Sequence, residues 1–174
     1  MGKRVIVIGC PGSGKTTFSK RLKQIWNLPL YHLDSIYHLE DHTVLDKEEF
    51  DERLSKILAK KEWIIDGNYQ RTLKKRMEYS DAIFLFDLPV EECLKGIAER
   101  KGKKRDDLPW IEEDDPEFIE SVKCFPKEKL PQIYELLKGC GKGKEITVFK
   151  SREEAERWLE DERRKDHPSD RSGL

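Results

Sequence analysis

Residues 9–16 read Gly9-Cys10-Pro11-Gly12-Ser13-Gly14-Lys15-Thr16, the full pattern G-x-x-x-x-G-K-[ST]. Glycines at these places let backbone N–H groups turn inward and approach phosphate oxygens without side-chain obstruction. A lysine at the seventh place bridges the β- and γ-phosphates of a nucleoside triphosphate, and the hydroxyl after it ligates Mg²⁺. Context separates such a cradle from a chance glycine-rich turn: a strand must precede it and a helix must follow. Residues 4–8 read as a buried strand. Beyond Gly14, residues Phe18, Leu22, Ile25 and Trp26 recur at i, i+4, i+7 and i+8, one face of a helix. The positive end of that helix adds to the attraction for phosphate. The sequence therefore predicts a triphosphate site made of Gly9, Pro11, Gly12, Ser13, Gly14, Lys15, Thr16 and Thr17, with ATP and Mg²⁺ as its ligands.

Outward from the cradle, short apolar runs alternate with longer helical patterns, as in α/β chains. Further strands are expected at residues 28–33, ending at Asp34; at 63–65, stopping at Asp66-Gly67; at 82–86, stopping at Asp87; and at 146–149. Asp46-Lys47-Glu48-Glu49 has the form of a capping box, with Phe50, Leu54, Ile57 and Leu58 following at helical spacing. Pro89 suits the first turn of a helix bearing Val90, Cys93, Leu94 and Ile97. Residues 118–137 are helical in pattern with a break or kink expected from Pro126 and Pro131, and Ser151 opens a last helix with Ala155, Trp158 and Leu159. Between 100 and 117 the periodicity gives way to charge, which reads as a lid. The predicted fold is α/β: a three-layer P-loop NTPase fold with a five-stranded parallel sheet flanked by helices, plus a helical or loop lid. Residues 1–165 form one domain in this reading, with the acceptor region at about 34–60, the lid at about 100–117, and a disordered tail over 166–174.

Charged residues make up 40% of the 174, against roughly 25% in an average domain. The 34 basic and 35 acidic residues nearly cancel. That balance excludes a nucleic-acid binder of the basic-domain type, which needs a positive excess. It also argues against disorder throughout, which pairs low hydrophobicity with high net charge. Charge is nonetheless zoned. The first 33 residues hold six basic side chains and no acid, residues 100–105 are basic, and 106–120 hold eight acids and no base. A small phosphorylated ligand in a basic cleft fits this zoning. Residues 5–8 are too short an apolar run for a secretory h-region of about 7–15. No stretch nears the ~18 apolar residues of a membrane span. Cys10, Cys93, Cys124 and Cys140 lack disulfide-framework or metal-ligand spacing. The expectation is a cytoplasmic protein with reduced thiols, free of membrane, and monomeric or dimeric.

A carboxylate at the carboxyl end of a neighbouring strand should complete the Mg²⁺ shell. Asp34, Asp66 and Asp87 all qualify. Asp66 is preferred because Gly67 follows it and lets phosphates come close, whereas Asp87 reads more simply as a cap of the helix after Pro89. A guanine-reading Asn-Lys-x-Asp signature is absent, which argues against a switch GTPase, and the chain is too short for a motor ATPase.

Asp66-Gly67-Asn68-Tyr69-Gln70-Arg71 resembles the Asp-Gly-Phe-Pro-Arg segment of adenylate kinase-like nucleoside monophosphate kinases. That resemblance implies that Arg71, one residue later than in the family pattern, grips an acceptor phosphate. Arg100-Lys101-Gly102-Lys103-Lys104-Arg105-Asp106-Asp107 resembles the lid of those kinases, implying that Arg100 and Arg105 close over the transferring phosphoryl group; a solvated basic loop is the alternative. Tyr31-His32-Leu33-Asp34, residues 63–69 with Arg71, and Phe125-Pro126 most closely resemble a bacterial group within this superfamily, the DNA topology modulation (FlaR-like) proteins, over most of residues 3–160. A helix-turn-helix pattern that would explain the group's name is not apparent.

The acceptor turns on Asp34. A hydroxyl acceptor, as in shikimate- or gluconate-kinase-like enzymes, needs a carboxylate to orient it or take its proton. A nucleotide phosphate is already ionised and needs no base, so Asp34 would then touch a ribose or base, or merely cap a turn. The spacing of His32, His38 and His42 does not make a metal site. Tyr37 and His38 either stack on an acceptor or pack, and Trp110 either covers a ligand or packs on the helix after it. The sequence thus predicts an ATP-dependent small kinase acting on a phosphorylated or hydroxyl acceptor, most simply a nucleotide or nucleoside, with Lys15, Arg71, Arg100, Arg105 and Asp34 as catalytic residues and Thr16 and Asp66 at the metal. The other reading is a nucleotide-binding regulator linked to DNA topology.

Overall fold

A computed structural model describes residues 3–105, 107–109, 111 and 114–166. Along these residues run β1 (Arg4–Gly9), α1 (Lys15–Trp26), β2 (Leu30–His32), α2 (Leu33–Tyr37), α3 (Lys47–Leu58), β3 (Trp63–Asp66), α4 (Gln70–Tyr79), β4 (Ala82–Phe86), α5 (Val90–Arg100), α6 (Pro116–Glu128), α7 (Leu130–Cys140), β5 (Glu145–Phe149) and α8 (Arg152–Asp166). The strands form one parallel sheet in the order β2-β3-β1-β4-β5. A parallel sheet flanked by helices buries both faces of its inner strands, so these read as unbroken apolar runs. Strands β3 and β4 are buried at every residue, and β1 at all but Arg4. The edge strand β5 is exposed over its first residues, Glu145 and Ile146. Successive strands depart to opposite sides of β1, so the carboxyl ends of β1 and β3 open a crevice at the switch point.

Helix α1 lies against α8, and aromatic rings fill the seam between them and the sheet. Phe18 meets Phe84, Phe86 and Phe149 at 5.0–5.3 Å between centroids, and Trp158 sits 4.8 Å from Phe84. Edge-on and tilted pairs of this kind add to the stabilisation from burial alone.

Several elements depart from the sequence reading. The second strand is three residues long rather than six: after His32 the chain turns helical, and Asp34 stands in the first turn of α2. An edge strand with one neighbour loses its ladder easily, and His38 N–H donates to Asp34 O to close the helical turn. The break expected from Pro126 and Pro131 does lie between them, at Lys129: α6 runs through Pro126, while Pro131 falls in the first turn of α7, where its missing N–H is harmless. Asp87 does not cap α5. It accepts from Tyr134 Oη at 2.6 Å and from Lys150 Nζ, while Pro89 occupies the cap without a side-chain bond. Helix α4 was not expected; its buried face carries Thr72 and Arg76 beside Leu73 and Met77, which blurs the apolar period. Asp166 ends α8, and residues 167–174 of the expected tail lie outside the described residues, as do Asp106 and Trp110.

The sheet is pinned at its amino end by Asp81. Its Oδ2 accepts from Arg4 N at 2.9 Å and Nε at 3.1 Å, and its Oδ1 from Arg4 Nη2 at 2.9 Å. The guanidinium holds the Asp81 carboxyl below its ordinary value. A carboxyl lowered by folding stabilises the fold above its unfolded pKa and loses that contribution as pH falls through the folded value. Asp81→Asn should therefore cost about 1 kcal/mol at pH 7, allowing for the partial exposure of the pair. The difference should close as pH drops well below about 3.9. Urea unfolding at pH 7 and in acid checks both.

Candidate active site

The loop after β1 owes its shape to contacts far along the chain. Gly12 has φ 79°, a left-handed conformation, and a Cβ there would lie 2.2 Å from Cys93 O on α5. Gly96, one turn on, answers it: a Cβ at that position would lie 2.1 Å from Gly12 O. Arg152, the first residue of α8, donates through Nη2 to Gly12 O at 2.8 Å and to Glu92 O at 2.9 Å. Two glycines and one arginine thus weld the loop to α5 and to the end of the sheet.

At the floor of the loop Lys15 Nζ donates to Gly9 O at 2.9 Å and Cys10 O at 3.0 Å. Burial pulls its ammonium below the ordinary lysine value, and the Asp66 carboxylate opposes that shift. Thr16 Oγ1 donates to Asp66 Oδ2 at 3.0 Å, and His32 Nδ1 lies 3.0 Å from the same oxygen. Asp66 is only 5% exposed, as its place at the end of a central strand dictates.

The three residues after Asp66 carry the rest of the geometry. Asn68 pairs its side-chain amide with Gly9: Oδ1 accepts from Gly9 N at 2.9 Å, and Nδ2 donates to Gly9 O at 2.5 Å. Tyr69 has φ 36° and ψ 75°, a costly conformation for an aromatic residue. Its hydroxyl donates to Asp34 Oδ1 at 2.6 Å, and burial pushes the phenol above its ordinary value. Arg76 holds this segment in place. Wholly buried, it donates to Thr72 Oγ1 at 3.1 Å, Gly67 O at 2.9 Å, Tyr69 O at 3.1 Å, and also to Asn68 O. Burial pushes its guanidinium down to about 9, which leaves it charged at neutral pH.

These parts line a cleft of about 1300 Å³. A pocket for one small ligand occupies roughly 300–1000 Å³, so there is room for a nucleotide and a second substrate. Pro11, Gly12, Ser13, Gly14, Lys15, Thr16 and Thr17 line it together with Asp34, Asp66, Arg100 and Arg105. Gly9 stands behind the lining, held by Asn68. Arg71 is not brought in. It is exposed and paired bidentately with Asp51 on α3, both bonds at 2.9 Å. Its place one position later on α4 turns it outward.

In the segment expected to form a lid, Arg100 lies 5.9 Å from the Phe118 ring, and Arg105 Nε donates to the buried Asp107 carboxylate at 2.9 Å. Lys101 pairs with Asp114, so the basic and acidic zones meet each other within the segment. Ser35 Oγ donates to Asp107 O at 3.0 Å and fastens the segment to α2. The Tyr37 ring packs 5.2 Å from Tyr69 and 6.1 Å from Phe50, which supports packing over stacking on a ligand; His38 lines the cleft. Among the described residues no group of three or more His, Cys, Asp or Glu can hold a metal. Asn68, Arg76, Gly96 and Arg152 are the site residues the sequence reading missed. Asn68 and Arg152 had a signal, each standing just past the carboxyl end of a strand.

No family model matches the chain. An adenylate kinase from Thermosipho africanus (strain TCF52B) is 24% identical over 125 residues, which cover 68% of this chain and 57% of that protein. The chain thus matches little more than half the length of that relative. A crystal structure of a gluconokinase from Sinorhizobium meliloti 1021 superposes with a TM-score of 0.56 at 10% identity, covering 99% of this chain and 98% of that one. Sheet order, phosphate cradle and this likeness agree: the chain has the α/β fold of the P-loop kinases.

Proposed function

We propose that the chain transfers the γ-phosphoryl group of ATP to a small acceptor, a nucleotide or a hydroxyl compound, in the cleft of the P-loop. One observation carries this reading: Thr16 and Asp66 share a hydrogen bond of 3.0 Å on the floor of a cleft that also holds Lys15 and two lid arginines. The residues fit Mg²⁺, since a hydroxyl and a buried carboxylate are hard oxygen donors, and this metal takes one or two carboxylates with the rest of its shell from phosphate and water. Ser13 Oγ, buried in the cradle without a partner among the described residues, is a further polar atom for a phosphate-bearing ligand to engage. When bound, Mg²⁺ neutralises charge on the β- and γ-phosphates and orients them. Lys15 turns from the Gly9 and Cys10 carbonyls toward phosphate oxygens. Arg100 and Arg105 offset charge on the transferring group, and the lid keeps water from it. The adenylate kinase and gluconokinase likenesses support the reaction type.

The same reading includes kinship with the FlaR-like group, on the strength of His32-Leu33-Asp34 and residues 63–69. It takes residues 1–165 as one domain and the cytoplasm as the setting; no helix among the described residues is long and apolar enough to cross a membrane. The test is ADP formation with and without acceptors. Asp66→Asn should lower turnover by about 100-fold and raise the Mg²⁺ concentration needed for half-maximal rate. ADP formation that no acceptor accelerates would overturn transfer in favour of a nucleotide-binding regulator.

A further inference from the structure

Resting on the phosphoryl-transfer reading, we infer that the acceptor is an alcohol whose hydroxyl is presented to Asp34, and that nucleoside monophosphates are not substrates. The cleft has two unlike halves. Around the P-loop and α1 it is lined by Lys15, Lys20, Arg21, Arg100 and Arg152, the half that suits a triphosphate. At the other end, where α2 meets the connection from β3 to α4, the lining is His32, Asp34, His38, Asn68 and Tyr69. Asp34 contributes a carboxylate to this lining.

A phosphate acceptor brings about two negative charges and requires cations to receive it. Three cations of α4 are committed elsewhere, and Arg105, brought beside α2 by the Ser35–Asp107 bond, donates to the Asp107 carboxylate. Arg71 makes its two bonds to Asp51. Lys75 donates to Ser55 Oγ at 2.9 Å. Arg76 is buried and spends Nε, Nη1 and Nη2 on Thr72 and on the carbonyls of Gly67, Asn68 and Tyr69. A dianion placed here would meet Asp34 as a like charge. An alcohol meets it as a proton acceptor.

The carboxylate is also aimed. Tyr69 donates to its Oδ1 at 2.6 Å from a left-handed backbone that Arg76 clamps and that the rings of Tyr37 and Phe50 support at 5.2 and 5.5 Å. Oδ2 then serves the acceptor. Its hydroxyl oxygen forms a bond to the γ-phosphorus, the bond from that phosphorus to the bridging oxygen breaks, and ADP leaves with the electron pair. The hydroxyl proton passes to Asp34 Oδ2 and on to solvent. Tyr69 is a positioning residue in this scheme, since it acts through Asp34.

The purified protein with Mg²⁺ and ATP is assayed for ADP against two panels. One holds alcohols: pentoses, hexoses, sugar acids, polyols and nucleosides. The other holds the common nucleoside monophosphates. At least one alcohol should raise the rate ten-fold or more over the rate without acceptor, by the ordinary scale of general-base assistance, roughly 10²–10⁴. Nucleosides and non-nucleoside alcohols sit in separate arms, so the source of the hydroxyl is read directly. Asp34→Asn should cut the alcohol-dependent rate by about 10³-fold, with the affinity for a fluorescent ATP analogue unchanged and the circular dichroism spectrum of the wild type retained. Tyr69→Phe should lower kcat by about ten-fold while KM for ATP holds. Acceleration by a monophosphate, or an Asp34→Asn variant of undiminished rate, overturns the inference and leaves phosphoryl transfer standing. A rate that neither panel moves overturns both.

Discussion

Lys15→Ala is expected to reduce ADP formation by about 10³-fold or more, the scale set by removing a charged group that stabilises a transferring phosphoryl. The melting temperature should stay within a few degrees of wild type. The two expectations have separate causes. For catalysis, Lys15 is the cation at the floor of the cradle, and a neutral methyl group cannot replace it. For stability, the ammonium is buried, and burial already works against its charged form. Its loss also leaves no carbonyl bare, because Gly9 O keeps the Asn68 amide and Cys10 O keeps the Ser13 N–H at 3.2 Å. Lys15→Arg should fail to rescue turnover, since the planar fork does not fit a niche shaped for a compact ammonium. Calorimetry beside the ADP assay checks both halves; a fully active alanine variant would remove Lys15 from the chemistry.

Arg76→Ala should destabilise the fold by about 3–5 kcal/mol, since buried carbonyls lose a charged donor and the missing side chain leaves a cavity. The guanidinium is the shared donor for three successive carbonyls, those of Gly67, Asn68 and Tyr69. Without it these carbonyls lose that donor and Tyr69 loses the clamp on its strained backbone. Arg76→Lys should recover part of the loss, having a charge but not three donor positions in a plane. Because Asn68 grips Gly9 and Tyr69 grips Asp34, nucleotide affinity and acceptor turnover should decline together in both variants. Urea midpoints give the stability, and titration of a fluorescent nucleotide gives the affinity. Wild-type stability in the alanine variant would show that the buried guanidinium is not what holds the segment.

The two residues mark where sequence reading succeeds and where it stops. Lys15 is legible because its partners are its neighbours: the cradle is eight consecutive residues, and the strand and helix beside it have unmistakable periods. The central strands are legible for a similar reason, being apolar on both faces. Arg76 is not, because its partners become close only once α4 forms. That helix hides in turn because a threonine and an arginine occupy its buried face. Arg71 shows the converse: the motif around it suggests a phosphate grip, but one step along a helix is about 100° of rotation. It meets Asp51 instead. The position of Asp66 is legible because the end of a strand fixes where a side chain stands; that it would share one oxygen with Thr16 and His32 is a matter of tertiary distance.

The backbone-to-backbone contact of Gly12 with Gly96 has a use for protein engineering. Helix α5 packs directly on the cradle through that contact, and Arg100 follows Gly96 by four residues, just over a turn, so one helix face serves both. A residue inserted between them would swing the guanidinium by about 100°. The chain first escapes this phase relation at Gly102, which has φ 73° and nothing within 4 Å of an added side chain. That glycine is the natural seam for transplanting a lid of another length or charge onto this cradle.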